Sequence, residues 1–182
     1  MIVHWSLVAL PALLSLAEHP LQRQPPYRGL AVGLIAVVFV VMALRATGGD
    51  FFTYHRMYLR FGGGPLTEWL ARTEPLYGLA NWLSSLVGGH VYGANTICAA
   101  IFLYCLVRFA REEKLPFFLL TIAMPYFVIV LGIGYTRQGV AAALIMLAMI
   151  YLRRGQPLVY LGVIMLAAGF HVSAAMFAVL PA

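Results

Sequence analysis

Apolar runs recur six times along this 182-residue chain, at residues 1–17, 29–44, 91–107, 115–131, 139–152 and 158–170. A helix needs about 20 apolar residues to cross a hydrocarbon core, so runs approaching that length predict membrane-crossing helices. A soluble domain of this size has nowhere to hide them, because 63% of the residues are hydrophobic and only 10% are charged. The chain therefore reads as all-α: a polytopic transmembrane helical bundle, one membrane domain over residues 1–182. About six helices span, and the apolar residues 173–182 start a seventh. Ser15-Leu16-Ala17 has the small residues of a signal-peptide cleavage site, yet no Lys or Arg precedes the first run and a second follows closely. It reads as a retained helix. Pro125 predicts a kink in the fourth run.

Charge sets the orientation. A net charge of +6 would suit nucleic acid if it formed a stripe, but the basic residues are scattered over short loops, so no nucleic-acid partner is expected. If every run crosses once, Arg23 and Arg28, then Arg108, Arg111 and Lys114, then Arg153 and Arg154 fall on one side, the cytoplasmic one. The opposite side receives residues 48–89, 132–138 and 169–173. Cys98 and Cys105 share one apolar run with no His, Asp or Glu between them, and read as packing residues.

Residues 48–89 hold three of the six acidic residues, Asp50, Glu68 and Glu74, alternating with Arg56, Arg60 and Arg72 among many aromatics. Aromatic faces beside carboxylates and guanidiniums suit a sugar or a headgroup; an interfacial aromatic belt with surface ion pairs is the plainer alternative. Asp50, Tyr54 and Tyr58 recur every four residues and share a helical face. Residues 75–86 predict a short interfacial or re-entrant helix, with a stripe at Leu76, Leu79, Leu83 and Leu86 and a polar face at Glu74, Gly78, Asn81 and Ser85. Pro75 holds Glu74 extended before that helix.

Two further clusters fall on the same predicted face. In residues 132–139, Thr136 is a candidate N-cap that sets Arg137 and Gln138 in a first helical turn. A cation there opposes the helix dipole unless an anion lies between, and a diphosphate would suit; an arginine anchored to lipid phosphates is the alternative. His171 is an ionisable group amid long apolar sequence, and so a functional candidate by default. It would move a proton, or else satisfy a backbone carbonyl. His4, His19, His55 and His90 have no metal-ligand spacing and read as interfacial.

Taken in order, Gly-Gly-Asp50 with Tyr54 and Tyr58, Thr73-Glu74-Pro75-Leu76-Tyr77, Thr136-Arg137-Gln138-Gly139-Val140-Ala141 and Phe170-His171-Val172-Ser173-Ala174 resemble the EpsG-type branch of Wzy-like polysaccharide polymerases. The resemblance runs from the second helix to the end. It implies a bacterial inner-membrane glycosyltransferase that joins repeat units carried on undecaprenyl diphosphate at the extracytoplasmic face. Members of that family run to about twice this length, so a chain ending at Ala182 within an apolar run reads as a truncated member.

On that reading Arg137, with Gln138 and the helix N-terminus, stabilises the leaving diphosphate. Glu74 is the base, with Asp50 second, and His171 holds the diphosphate or shuttles the proton. Tyr54, Tyr58, Tyr77, Arg72 and Asn81 contact substrate. No cofactor is expected, with a divalent ion between Asp50 and Glu74 as the alternative. The expected partners are a polyprenyl-diphosphate-linked oligosaccharide, the bilayer and other polysaccharide-assembly membrane proteins. A flippase for lipid-linked sugar, with ionisable residues at mid-depth, and a non-catalytic subunit are the competing readings.

Overall fold

The computed structural model describes residues 2–16, 18 and 28–180. Among these residues the chain is helical with no strand. Two apolar helices, α1 (Ile2–Ser15) and α2 (Arg28–Ala43), precede three short ones, α3 (Phe51–Phe61), α4 (Leu66–Leu70) and α5 (Pro75–Leu86). Then come α6 (His90–Ala110), α7 (Pro116–Ala123), α8 (Thr136–Arg153) and α9 (Pro157–Phe170). Proline opens α5, α7 and α9, where its missing N–H costs nothing and its fixed φ starts the helix.

Among the described residues, His90–Ala110 and Pro116–Gly134 are long and apolar enough to cross a bilayer, while Ser6–Ser15, Gly29–Ala43 and Pro157–Phe170 are apolar but shorter. The chain is an all-α membrane protein. The kink expected at Pro125 takes another form: α7 runs on into a π-helical stretch, Met124–Gly134. Pro125 has no N–H to donate and its ring crowds the carbonyl four residues back, and wider winding takes up the misfit. The seventh run begins as a 3-10 helix, Val172–Val179. His19, Pro20, Arg23, Pro25, Pro26 and Ala182 lie outside the described residues.

The buried centre is α6, which packs against α2, α5 and α8 through residues such as Val91, Cys98, Phe102 and Leu106. Both cysteines are buried and free, consistent with packing. The buried face of α5 is Tyr77, Gly78, Ala80, Asn81 and Ser84, while Leu83 and Leu86 are exposed. The outer half of the leucine stripe thus points outward, because lipid is as apolar as leucine and gives no reason to bury it, while Leu76 and Leu79 are half-buried. Small residues face in instead: a Cβ on Gly78 would lie 3.1 Å from the Trp69 carbonyl oxygen.

Ion pairs tie the far ends of α6 and α8 together. Arg154 meets Glu112 at 2.8 Å, Arg153 meets Glu113 at 2.9 Å, and Arg108 also pairs with Glu112. The basic residues at 108 and 153–154 therefore share one end of the bundle, as their grouping by the positive-inside rule requires. At the start of α7 the Glu18 carboxylate accepts the N–H groups of Phe117 and Phe118 at 2.8 and 2.9 Å, satisfying two donors that α7 cannot.

Candidate active site

Glu74 stands at the head of α5 with the extended backbone that Pro75 imposes, φ −59° and ψ 146°. Its carboxylate does not cap α5. It turns toward α8 and α9, where Arg137 Nη1 donates to Oε2 at 2.5 Å and the Nδ1–H of His171 donates to Oε1 at 3.2 Å. Arg137 occupies the first turn of α8, and His171 the extended residue that ends α9. The three side chains are 17%, 27% and 23% exposed, shielded from bulk solvent yet still reachable by a ligand. The Arg137 guanidinium lies 5.3 Å from the Tyr54 ring and 5.9 Å from the Tyr77 ring, within cation–π range, and those two rings meet edge to face at 4.7 Å.

Not every residue singled out in the sequence reaches this cluster. Asp50 precedes α3, and its charge is felt at Arg137 and Tyr54, but it forms no hydrogen bond to the cluster. Gln138 is exposed beside it. Tyr58 and Asn81 are braces instead of sugar contacts: the Tyr58 hydroxyl donates to the Asn81 carbonyl at 2.6 Å, Asn81 Nδ2 donates to the Tyr77 carbonyl at 2.7 Å, and both residues are buried. Tyr54 and Tyr77 are also buried, so their rings hold Arg137 and leave no face for a sugar. Arg72 is exposed and lies 3.9 Å over the Phe61 ring. Thr136 is not the N-cap; α8 starts at Thr136 after Tyr135, and its hydroxyl accepts a hydrogen bond from Arg45. Among the described residues no three of His, Cys, Asp and Glu gather as metal ligands, and both Glu74 oxygens already have partners.

Below the cluster an apolar groove of about 610 Å³ opens between α5, α6, α8 and α9. Leu76, two residues after Glu74, and Phe170, next to His171, line it together with Leu83, Ile97, Ile101 and Leu147. A Cβ on Gly169 would sit 2.7 Å from Leu76 Cγ, so glycine is what lets α9 approach α5 beside His171.

The model of the EpsG family matches residues 30–182, a span that contains every member of the cluster. The chain belongs to the EpsG family. No curated protein and no solved structure matches it. Membership of the EpsG family implies a polysaccharide polymerase-like role and suggests a glycosyltransferase type of activity.

Electrostatics in this EpsG-family chain favour an ionised Glu74. Burial, the largest influence, raises the Glu74 pKa, but hydrogen bonds from its own backbone N–H, Arg137 and His171 outweigh it and hold the carboxyl below the ordinary carboxylate value. Burial pushes the phenol of Tyr54 up, and that of Tyr58 to about 12, so both stay protonated. A carboxyl whose pKa is depressed by folding contributes stability that is fully present above its unfolded pKa and is lost as pH falls through the folded one. Thermal midpoints measured from pH 7 downward are therefore expected to fall more below about pH 4.5 in the wild type than in Glu74→Gln. The other carboxylates are common to both proteins, so equal slopes would show that the Glu74 pairings contribute nothing.

Proposed function

We propose that this protein transfers a glycosyl unit from a polyprenyl-diphosphate donor to a hydroxyl of a second lipid-linked oligosaccharide, at the extracytoplasmic face of a bacterial inner membrane, and so lengthens a polysaccharide. The observation that carries this reading is the convergence of Glu74, Arg137 and His171, three motifs far apart in sequence, on one hydrogen-bonded cluster. In the transfer the bond from the anomeric carbon to the diphosphate oxygen breaks, and a bond to the acceptor oxygen forms. Charge builds on the diphosphate, and the acceptor hydroxyl loses its proton.

Arg137 suits the first need. One nitrogen is held by Glu74, the Tyr54 and Tyr77 rings lie within cation–π range, and, with Nε buried, the terminal nitrogens supply the donors for phosphate oxygens. His171 suits the second. Its Nδ1–H is committed to Glu74, which fixes the tautomer with a free Nε2 to take the acceptor's proton. Glu74, with its depressed pKa, is a weak base; it orients the other two, as an acid does behind a catalytic histidine. The apolar groove that begins at Leu76 and Phe170 supports a donor carried on a lipid chain, since an anionic group at Arg137 would leave its tail beside that groove.

Purified protein in nanodiscs, given lipid-linked repeat units, is expected to yield glycans of two or more repeats with release of polyprenyl diphosphate. Substrate binding or transbilayer movement without elongation would replace this reading with that of a carrier.

A further inference from the structure

Arg45 is the buried charge that the cluster does not use. It lies two residues past the end of α2 and is 6% exposed. Among the described residues it forms no salt bridge with a carboxylate. A buried cation without such a partner is costly, and here hydrogen bonds to the protein offset that cost. One guanidinium nitrogen donates to the Ile133 carbonyl and, at 3.2 Å, to the Thr47 carbonyl; another donates to the Thr136 hydroxyl.

These acceptors lie on either side of a break in the backbone. The π-helical stretch ends at Gly134, Tyr135 is non-helical with φ −132° and ψ 81°, and α8 begins at Thr136. The Ile133 carbonyl is at the end of a helix, where intrahelical partners run out. Arg45 therefore closes one helix and grips the first residue of the next. The loop that leads to Asp50 is laid on the same joint: Gly48 has φ +117°, and a Cβ on Gly49 would lie 2.7 Å from the Tyr135 ring.

We infer that Arg45 is a positioning residue, a fork that sets the angle at which α8 leaves the π-helical stretch and so holds Arg137 against Glu74 and His171. Its consequence for the rate rests on the proposed glycosyl transfer; the clamp itself does not. The fork is what matters, because a lysine ammonium keeps the charge but cannot reach acceptors on both sides of the break in a fixed plane.

The test uses the full chain in nanodiscs, with Arg45→Lys and Arg45→Met. Backbone amide exchange at residues 134–139 is expected to quicken in Arg45→Lys while α6 and α9 keep their protection. Elongation kcat falls on the order of tenfold to a hundredfold, the scale of a small misplacement of a reacting group, with KM for the donor little changed. Because Arg45 acts through Arg137, adding Arg45→Lys to Arg137→Ala costs little further rate, whereas a general loss of folded protein would add in full. If Arg45→Met does not fold, the lysine variant alone decides. Unchanged exchange at residues 134–139, or fully additive rate losses, overturns the inference. If the wild type elongates nothing, the functional reading fails and exchange alone judges the clamp.

Discussion

Arg137→Ala is expected to lower the elongation rate by about 100- to 1000-fold, the usual cost of removing a preorganised donor aimed at developing charge. The loss falls on kcat, because the interaction strengthens as negative charge moves onto the departing diphosphate. Arg137→Lys recovers little. A single ammonium cannot remain bonded to Glu74 and also take two phosphate oxygens, and it lacks the flat face that rests on Tyr54 and Tyr77. The measurement is single-turnover elongation at saturating donor, normalised to folded protein. Full activity in both variants would remove Arg137 from the chemistry and with it the reading of this cluster as an active site.

His171→Ala is expected to cost about 100- to 10,000-fold, the range for a group that transfers a proton in the transition state. Alanine also deletes the hydrogen bond to Glu74, so the informative partner is His171→Asn, which can still donate to that carboxylate but has no second ring nitrogen to accept a proton. Both variants are expected to be equally slow. If asparagine retains most of the rate, the imidazole serves only to hold Glu74 in place, and the proton leaves by another route.

The helices were legible as long apolar runs, although among the described residues only His90–Ala110 and Pro116–Gly134 are long and apolar enough to cross a bilayer, and the short helix after Glu74 was legible because proline marks its start. The cluster was legible through residue type: Glu74, Arg137 and His171 are polar groups that apolar sequence gives no other reason to keep. The two faces of α5 were legible from spacing, but not that neighbouring helices half-cover Leu76 and Leu79 while Leu83 and Leu86 stay exposed. Tyr58 and Asn81 looked like ligand contacts because spacing shows a shared face and not whether another helix covers it. Arg45 was missed for a similar reason. It directly follows an apolar run, where an arginine ordinarily reaches for lipid phosphate, and nothing in its neighbourhood signals that a carbonyl and a hydroxyl about ninety positions later would claim it.

The order in which the chain is made bears on the Glu74 carboxylate. It leaves the ribosome 63 residues ahead of Arg137 and 97 ahead of His171, so throughout that interval the nascent protein carries an acid whose eventual neighbours have not been synthesised. On the proposed reading the cluster is complete only once α9 has been made and packed against α5, so the nascent chain cannot use Glu74 before His171 has joined it.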